Sequence, residues 1–292
     1  MADAANGKLE KLDELVSSSA VAIPASSCQS TTHVKVTLQL QIWIIPYLSY
    51  PKMPPRLPIK SDFPSSLTLD IIPPPSGQPL NILILLHGLG DTKKSFSQLA
   101  KNLNLAETAC LSIQGPSPIP AIFTGSDTPA FHWGDDVLID ERQGEIELDA
   151  GFKTIERVLG EVVKCLTEKC EYPARNILFF GFGQGGMAAL HIAAASDLEF
   201  GGVVSIGGRL PSQSGGGKSK TPVLVLGGSR STQVTRSAVD ALKAKFTDVE
   251  YIKWEKGDDS MPRSREEMMS IMRFFARRLR SRAGVPEGAV EI

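Results

Sequence analysis

The chain lacks the features that usually mark a membrane protein or a nucleic-acid-binding protein. Its formal net charge is only −1, so its overall field favours neither nucleic acid nor an anionic membrane as a partner. The apolar stretch 38–48 is too short to cross a bilayer, and the polar, acidic amino terminus is unlike a secretory signal. We therefore expect a cytoplasmic protein with no transmembrane segment and no nucleic-acid partner.

Cysteine and histidine are also scarce, with four of each in 292 residues. Cys165 and Cys170 lie five residues apart on a predicted helix, and no nearby pair of His or Cys residues completes a zinc site with them. Because no secretory signal is seen, reduced thiols are expected, and we expect no metal site. No histidine follows His191, so the rest of the chain offers no imidazole base.

What the chain does contain is a regular alternation of apolar strands and amphipathic helices. With 42% hydrophobic residues it can bury one large core. Short apolar runs bounded by Gly and Pro are typical of strands buried on both faces, and we predict such strands at 82–86, 109–113, 177–180, 202–206, 222–226 and 249–254. Helical stripes lie at 148–166 and 268–279. The pattern predicts an α/β fold with a mostly parallel, doubly wound sheet, helices on both faces and a ligand site at the carboxyl ends of the strands.

Segments without this alternation are interpreted as extensions or connections. Residues 1–52 carry no catalytic signature, and we interpret them as a poorly ordered N-terminal extension. The folded domain is predicted to span residues 53–283 and to be followed by a C-terminal tail, 284–292. Residues 212–219, rich in Ser and Gly, are predicted to form a flexible surface loop.

The most informative segment is the glycine-rich turn after the strand at 177–180. The strand runs into Gly181-Phe-Gly-Gln-Gly185 and then into a helix of small residues. This is the setting of the G-x-S-x-G nucleophile elbow, in which a serine hydroxyl is held on a sharp turn above a parallel sheet. Here the central residue is Gly183, which has no side chain and cannot attack an ester.

The same glycines permit a second interpretation. Gly181, Gly183 and Gly186 satisfy the G-x-G-x-x-G fingerprint of dinucleotide-binding proteins, between a strand and a helix. The acidic residue that should hold the ribose is missing from the end of the next strand, where Ser205 is followed by Ile-Gly-Gly. Dinucleotide binding is therefore kept as a weaker alternative.

Two further motifs accompany this turn: His87-Gly-Leu-Gly-Asp91 after the first strong strand, and the segment 131–136 (Phe-His-Trp-Gly-Asp-Asp). Together with the turn they resemble the acyl-protein thioesterase/carboxylesterase (phospholipase-like) family of α/β hydrolases, over residues 66–282. The resemblance implies an α/β-hydrolase fold and hydrolysis of ester or thioester bonds of long-chain acyl groups, without a cofactor. It also implies that acyl chains or acylated proteins are the partners.

By the same resemblance, Leu89 and Gln184 would supply the backbone amides of an oxyanion hole, and Trp133 would line the acyl pocket. His87 and His132 are further pocket candidates. A structural role in loop packing is an equally good interpretation of His87 and Trp133.

The catalytic triad of this family requires Ser, Asp and His, in that order along the chain. The Ser position falls at Gly183, the Asp position at Ser231, and the His position at Asp259 or its neighbour Asp258. A hydroxyl without a base is a poor nucleophile at neutral pH, and an oxyanion hole alone gives only about a thousandfold acceleration over water. The three substitutions predict a protein that is inactive as a serine hydrolase. It would bind an acyl chain or an acylated partner, or serve as an interaction module.

A relocated or water-activating active site is the competing hypothesis, so the sequence leaves open whether the chain is an enzyme. The candidate residues are Ser205 or Ser231 as the nucleophile, His132 or His191 as the base, and Asp135, Asp136, Asp258 or Asp259 as the acid.

Overall fold

The computed structural model describes residues 54–75, 77–140 and 144–284. The predicted N-terminal extension, and all but the first residue of the predicted C-terminal tail, lie outside these described residues, so the proposed domain boundaries stay predictions. Among the described residues, no helix is long and apolar enough to cross a membrane. The same residues contain no group of three or more His, Cys, Asp or Glu side chains that could hold a metal ion.

A seven-stranded sheet with helices on both faces forms the centre of the described structure. The elements are, in chain order, β1 (Leu69–Ile72), β2 (Asn81–Leu86), α1 (Lys93–Leu103), β3 (Thr108–Ile113), β4 (Ser117–Pro118), α2 (Ala121–Thr124), β5 (Phe131–His132), β6 (Ile139–Asp140), β7 (Glu145–Ile146), α3 (Lys153–Glu168), β8 (Ile177–Phe182), α4 (Gln184–Ala195), β9 (Gly202–Ile206), β10 (Val223–Gly227), α5 (Arg236–Lys245), β11 (Val249–Lys253) and α6 (Arg265–Arg278).

The strands of the large sheet follow the order β1-β3-β2-β8-β9-β10-β11. Strand β1 pairs antiparallel with β3, and all the other neighbours pair in parallel. Two small antiparallel sheets, β4–β5 and β6–β7, lie in the segment that connects β3 to α3. The predicted α/β-hydrolase fold is confirmed, and the six predicted strands correspond to β2, β3, β8, β9, β10 and β11. The edge strand β1 is an addition that the sequence pattern does not reveal.

Helices bury the sheet on both faces. Successive side chains of β2 point to opposite faces, so Ile82 and Ile84 belong to one hydrophobic cluster and Leu83 and Leu85 to the other. Helices α3, α4 and α5 cover the first face, and helices α1 and α6 cover the second. All of β2 is buried, which is why its sequence from Ile82 onward is uniformly apolar.

The topology determines where a ligand can bind. Strand β2 pairs with β3 on one side and with β8 on the other. At such a switch point, the chain continues in opposite directions after the two neighbouring strands, and ligands commonly bind at their carboxyl ends. The two loops here are residues 87–91 after β2 and the glycine turn after β8. Their starting points are level, because Leu86 pairs with Gly181.

Candidate functional site

The glycine turn after β8 has a backbone conformation that suits a nucleophile elbow, a sharp and strained strand-to-helix turn. Gly183 has φ +51° and ψ −120°, and a residue with a side chain adopts such a conformation at a cost of about 1–3 kcal/mol. Its N–H donates to the Ile206 carbonyl oxygen at 2.8 Å, and its own carbonyl accepts from the Met187 N–H at 3.1 Å. A Cβ atom on Gly183 would have no heavy atom within 4 Å. The turn is therefore tightly closed, while the space for a side chain at its tip is open.

The flanking glycines allow α4 to start directly against β2 and β8. A Cβ atom on Gly181 would lie 2.3 Å from the Gly185 carbonyl oxygen, and one on Gly185 would lie 2.3 Å from the His87 carbonyl oxygen. One on Gly186 would lie 2.5 Å from the Ser205 hydroxyl. Packing within the protein therefore accounts for these three glycines without any ligand.

Two backbone N–H groups beside the turn have no hydrogen-bond acceptor among the described residues. The loop 87–91 packs on the turn, since a Cβ atom on Gly88 would lie 2.7 Å from the Phe182 ring. The N–H of Leu89 donates no hydrogen bond to any residue that the structure describes. Gln184 is the first residue of α4, so a helix leaves its N–H without an intrahelical acceptor. Such donors can stabilise a carbonyl oxygen or an oxyanion, and the oxyanion-hole role of these two residues stays a prediction.

A buried network ties Trp133 to both loops. Its indole N–H donates to the His87 carbonyl oxygen at 2.7 Å, and its backbone N–H donates to Gln184 Oε1 at 2.8 Å. The Gln184 side chain in turn donates to the Leu148 carbonyl oxygen at 3.0 Å. Trp133 is completely buried. It joins the loops of the crevice, and its predicted place in the lining of an acyl pocket stays untested.

His87 is held on both sides of its ring. Its Nδ1 lies 2.8 Å from the Gly88 carbonyl oxygen, and its Nε2 accepts a hydrogen bond from the Gly115 N–H at 2.9 Å. Burial lowers the pKa of His87, and the contact with Gly88 opposes this effect only in part. A neutral ring with its proton on Nδ1 satisfies both contacts. This geometry favours the structural role of His87, because both nitrogens already have protein partners.

The positions predicted for the acid and the base of a triad are bonded to each other. Ser231 Oγ donates to Asp259 Oδ2 at 2.6 Å, and Asp259 Oδ1 accepts from the Gly228 N–H at 2.8 Å. Ser231 Oγ also accepts from the Val234 N–H at 2.8 Å. A carboxylate thus lies where the resemblance places an imidazole, and a hydroxyl lies where it places a carboxylate.

The elbow and this pair meet at the end of β9. The Gly183 N–H contacts Ile206, and Asp259 packs on the next residue, since a Cβ atom on Gly207 would lie 2.7 Å from Asp259 Cβ. Gly207 has φ +66°, which glycine adopts without strain. The peptide that joins Ile206 to Gly207 therefore separates the tip of the elbow from the Ser231–Asp259 pair.

Lys256 fastens the loop that carries Asp259, and the sequence gives no signal of this role. Its Nζ donates to the Ser260 carbonyl oxygen at 2.7 Å and to Glu267 Oε2 at 2.8 Å. It also lies 3.9 Å from the centre of the Trp254 ring, a cation–π contact. The charge of Lys256 is thus neutralised while it holds the loop in one conformation.

The candidates in segment 131–136 have separate environments. The imidazole of His132 is buried and has no hydrogen-bond partner among the described residues. Burial lowers the pKa of His132, and the nearby charge of Asp136 opposes this in part. The Asp135 carboxylate accepts from the N–H groups of Lys153 and Thr154, at 2.9 and 2.7 Å, at the start of α3. Partial burial acts to raise the pKa of Asp135, but these hydrogen bonds outweigh it and lower the pKa.

The other candidates for a relocated site have partners of their own. Ser205 is completely buried, and its hydroxyl donates to the Gly208 carbonyl oxygen at 3.0 Å. Asp258 lies at the surface, 3.1 Å from Arg263. His191 bonds to residues outside the crevice. Within the described structure, no hydrogen bond joins any of these side chains to His132.

The fold, with a strained turn of this kind at the carboxyl end of its central strand, defines the protein as an α/β hydrolase. The chain belongs to the Phospholipase/Carboxylesterase family, whose model matches residues 68–279. It is 38% identical over 135 residues to an uncharacterized hydrolase of Schizosaccharomyces pombe, and the aligned region covers 45% of this chain and 54% of that protein. It is 31% identical over 219 residues to an uncharacterized hydrolase of Mycosarcoma maydis, and the aligned region covers 72% of this chain and 80% of that protein. The chain thus spans about half the length of the first relative and most of the second.

Solved structures with the same fold include an acyl-protein thioesterase and a phospholipase/carboxylesterase. Acyl-protein thioesterase 2 of Zea mays matches with a TM-score of 0.53 and 20% identity, over 72% of this chain and 98% of that one. A phospholipase/carboxylesterase from Dyadobacter fermentans matches with a TM-score of 0.51 and 23% identity, over 70% of this chain and 94% of that one. At these identities the likeness shows the fold alone.

Proposed function

We propose that the elbow of this chain does not hydrolyse esters or thioesters, and that the crevice beside it binds an acyl chain or the acyl group of an acylated protein. The observation that carries the proposal is the hydrogen bond between Ser231 and Asp259 beside an elbow whose tip is Gly183.

Hydrolysis by a serine hydrolase needs a nucleophile, a base within hydrogen-bond reach of it, and a group that orients the base. Gly183 supplies no nucleophile. Both oxygens of Asp259 accept hydrogen bonds, from the Ser231 hydroxyl and the Gly228 N–H, so the carboxylate orients no imidazole. Each of the three requirements is therefore unmet at the positions that the family uses.

Binding of an acyl group needs neither a nucleophile nor a base, and three observations support it. The N–H groups of Leu89 and Gln184 lie beside the turn and can bind the carbonyl oxygen of an acyl group. The open space at Gly183 leaves room for a ligand where a serine would otherwise project. The name of the Zea mays structure, an acyl-protein thioesterase, supports an acyl group as the ligand.

Two other functions have less support. A water-activating hydrolase would use His132, whose lowered pKa keeps the ring neutral and able to accept a proton, but no described carboxylate bonds to that ring. Dinucleotide binding rests on Gly181, Gly183 and Gly186. Packing within the protein explains Gly181 and Gly186, and the end of β9 offers no acidic side chain for a ribose.

Binding and turnover can be tested separately. Calorimetry with a non-hydrolysable palmitoyl thioether measures binding, and release of free thiol from the corresponding palmitoyl thioester measures turnover. We expect saturable binding of the thioether and no thioester cleavage above the uncatalysed rate. Absence of binding, or saturable cleavage of the thioester, would contradict the proposal.

A matched pair of glycine substitutions locates the ligand. Gly183→Leu is expected to weaken thioether binding by about tenfold or more, a loss of about 1.4 kcal/mol, because its side chain enters the open space at the elbow. Gly125→Leu is the control, since Gly125 also has a positive φ (+63°) and no heavy atom within 4 Å of its Cβ position. Equal weakening by both substitutions would show that the ligand binds elsewhere.

A further inference from the structure

A second group of hydrogen-bonded side chains lies outside the elbow, where α3, α4 and the loop after β9 meet. Ser214 Oγ lies 3.0 Å from Nδ1 of His191, and Glu156 Oε2 lies 3.2 Å from Nε2 of the same ring. The His191 side chain is only 4% exposed, and its ring centre lies 5.8 Å from that of Phe152. Hydroxyl, imidazole and carboxylate thus follow one another in the order that nucleophilic catalysis uses.

We propose that Ser214, His191 and Glu156 form a second catalytic site, which hydrolyses small carboxylic esters independently of the elbow. Ser214 is the nucleophile, His191 is the base and Glu156 orients the ring. The elbow and this site share no residue, so the proposal does not rest on acyl binding in the crevice.

The imidazole can hold its proton where these roles require it. In the usual triad the serine faces Nε2 and the carboxylate faces Nδ1; here the ring is turned the other way. Either ring nitrogen can accept a proton when the other carries one. With the Nε2–H of His191 donated to Glu156, the lone pair of Nδ1 faces the Ser214 hydroxyl.

The loop that carries Ser214 supplies backbone donors. Gly215, Gly216 and Gly217 follow the serine and are exposed, and their N–H groups donate no hydrogen bond within the described structure. Lys245 Nζ donates to the carbonyl oxygens of Gly215 and Gly216. The carbonyl groups are therefore occupied while the amides stay free, and the N–H of the residue after a nucleophile commonly contributes to an oxyanion hole.

A cavity borders this loop on the side of the end of α4, and Ser214, His191 and Glu156 are not among the residues that line it. It has a volume of about 260 Å³, and it is lined by Gly216 and Gly217 of the loop and by Ala194 and Ala195 of α4. Ala195 lies one helical turn after His191, so the two residues share a face of the helix. Sites for drug-sized ligands occupy about 300–1,000 Å³. A substrate that extends from Ser214 into this cavity would have to be small, which is why we propose esters with a short acyl group.

The proposed reaction balances without a cofactor. Ser214 Oγ bonds to the ester carbonyl carbon while its proton passes to His191 Nδ1. The bond from that carbon to the alcohol oxygen breaks, and the alcohol leaves with this proton. Water then loses a proton to the same nitrogen and attacks the acyl-serine. The carboxylic acid is released, and the proton returns to Ser214 Oγ.

Labelling of the full chain with a fluorophosphonate tests the proposal, with intact-mass analysis and peptide mapping as the readout. In this reaction Ser214 Oγ bonds to phosphorus and fluoride leaves, so the product is covalent and can be counted. We expect one adduct per chain, on the peptide that contains Ser214, and none in Ser214→Ala. Ser237→Ala, which removes an exposed serine of α5, is the control and should label like the unmodified chain.

Two variants separate a catalytic role from a structural one. A positioned base contributes about 10²–10⁴-fold, so His191→Gln is expected to slow labelling of Ser214 by about 100-fold or more. Glu156→Gln is expected to slow it by about tenfold or more, because the ring loses the group that orients it. The Glu156 side chain is 51% exposed, so this variant decides the question even if the change at buried His191 prevents folding.

The outcomes are distinct. An unlabelled chain, an adduct on another serine, or labelling of Ser214 at an unchanged rate in Glu156→Gln would overturn the proposal. Cleavage of p-nitrophenyl acetate that is lost in Ser214→Ala would support it. Cleavage of palmitoyl thioester that persists in Ser214→Ala would contradict acyl binding without turnover at the elbow, and would leave this proposal untouched.

Discussion

The variant Gly183→Ser tests whether the residues around the elbow can support hydrolysis once a nucleophile is present. Gly183 has φ +51° and ψ −120°, so Gly183→Ser is expected to cost about 1–3 kcal/mol of the free energy of unfolding. Steric overlap adds nothing, because no heavy atom lies within 4 Å of the new Cβ. For a domain of this size, 1 kcal/mol corresponds to about 2–4 °C in Tm. Thermal unfolding followed by circular dichroism measures the shift, and Gly183→Ala, with the same strain and no hydroxyl, should show the same shift.

The added hydroxyl alone is expected to bring little activity, because the Ser231–Asp259 pair provides no imidazole to accept its proton. Donors of an oxyanion hole alone leave about 10³–10⁴-fold acceleration over water. The triple variant Gly183→Ser, Ser231→Asp, Asp259→His supplies nucleophile, acid and base together. A positioned base contributes about 10²–10⁴-fold, so the triple variant should exceed Gly183→Ser by that factor in palmitoyl thioester cleavage. The assay uses the Ser214→Ala background, so that the second proposed site cannot contribute.

Three results would refute this reasoning. If Gly183→Ser were as active as the triple variant, another base would already serve the elbow. If neither Gly183→Ser nor Gly183→Ala lowered the Tm, the turn would not impose the strain that its dihedral angles imply. If the triple variant folded and bound the thioether but were no more active than Gly183→Ser, Asp259 would not occupy the position of the base.

Three further predictions concern stability and reactivity. Asp62 accepts two hydrogen bonds from Arg56, at 2.6 and 2.8 Å, which lower the pKa of Asp62 from 3.8 to about 2. Because the folded-state pKa of Asp62 lies below its unfolded-state pKa, ionised Asp62 contributes up to about 2 kcal/mol to the free energy of unfolding above about pH 4, and this contribution is lost as the pH falls towards 2. In urea unfolding, Asp62→Asn should therefore be less stable than the unmodified chain at about pH 6 and nearly equal to it at about pH 2. Gly185→Ala is expected to cost more than about 3 kcal/mol or to prevent folding, because its Cβ would lie 2.3 Å from the His87 carbonyl oxygen; circular dichroism checks this. Burial raises the pKa of Cys110 to about 12, so its thiol should react with iodoacetamide, as seen by mass spectrometry, only after unfolding.

Most of the fold could be predicted because its strands are buried on both faces. In β2 and β9, every residue is buried, so the sequence shows short apolar runs that stand out from the helices between them. Strand β1 could not be predicted in this way. It pairs only with β3, at the edge of the sheet, and Leu69-Asp-Ile-Ile72 is too short and too mixed in polarity to show a period.

The candidate site could be predicted only where it is local in sequence. The elbow lies within a few residues of Gly183, so its motif is readable directly. The bond between Ser231 and Asp259 joins residues 28 positions apart, and it depends on how the loops after β10 and β11 pack together. Ser214 is a similar case, since it lies in a Ser/Gly-rich segment that reads as a surface loop. Only the tertiary fold brings it to His191, 23 residues earlier.

The residues at the three predicted triad positions make sense as a set rather than as separate losses. With a carboxylate at position 259, a second carboxylate at position 231 would place two like charges in hydrogen-bond contact, which disfavours ionisation of both. The Ser231 hydroxyl instead donates a hydrogen bond to the Asp259 carboxylate at 2.6 Å. Without an imidazole, a serine at position 183 would keep the strain of the turn and gain no catalysis, so Gly183 is the more stable choice by about 1–3 kcal/mol. Each of the three residues is thus compatible with the other two, as the proposed binding without turnover predicts.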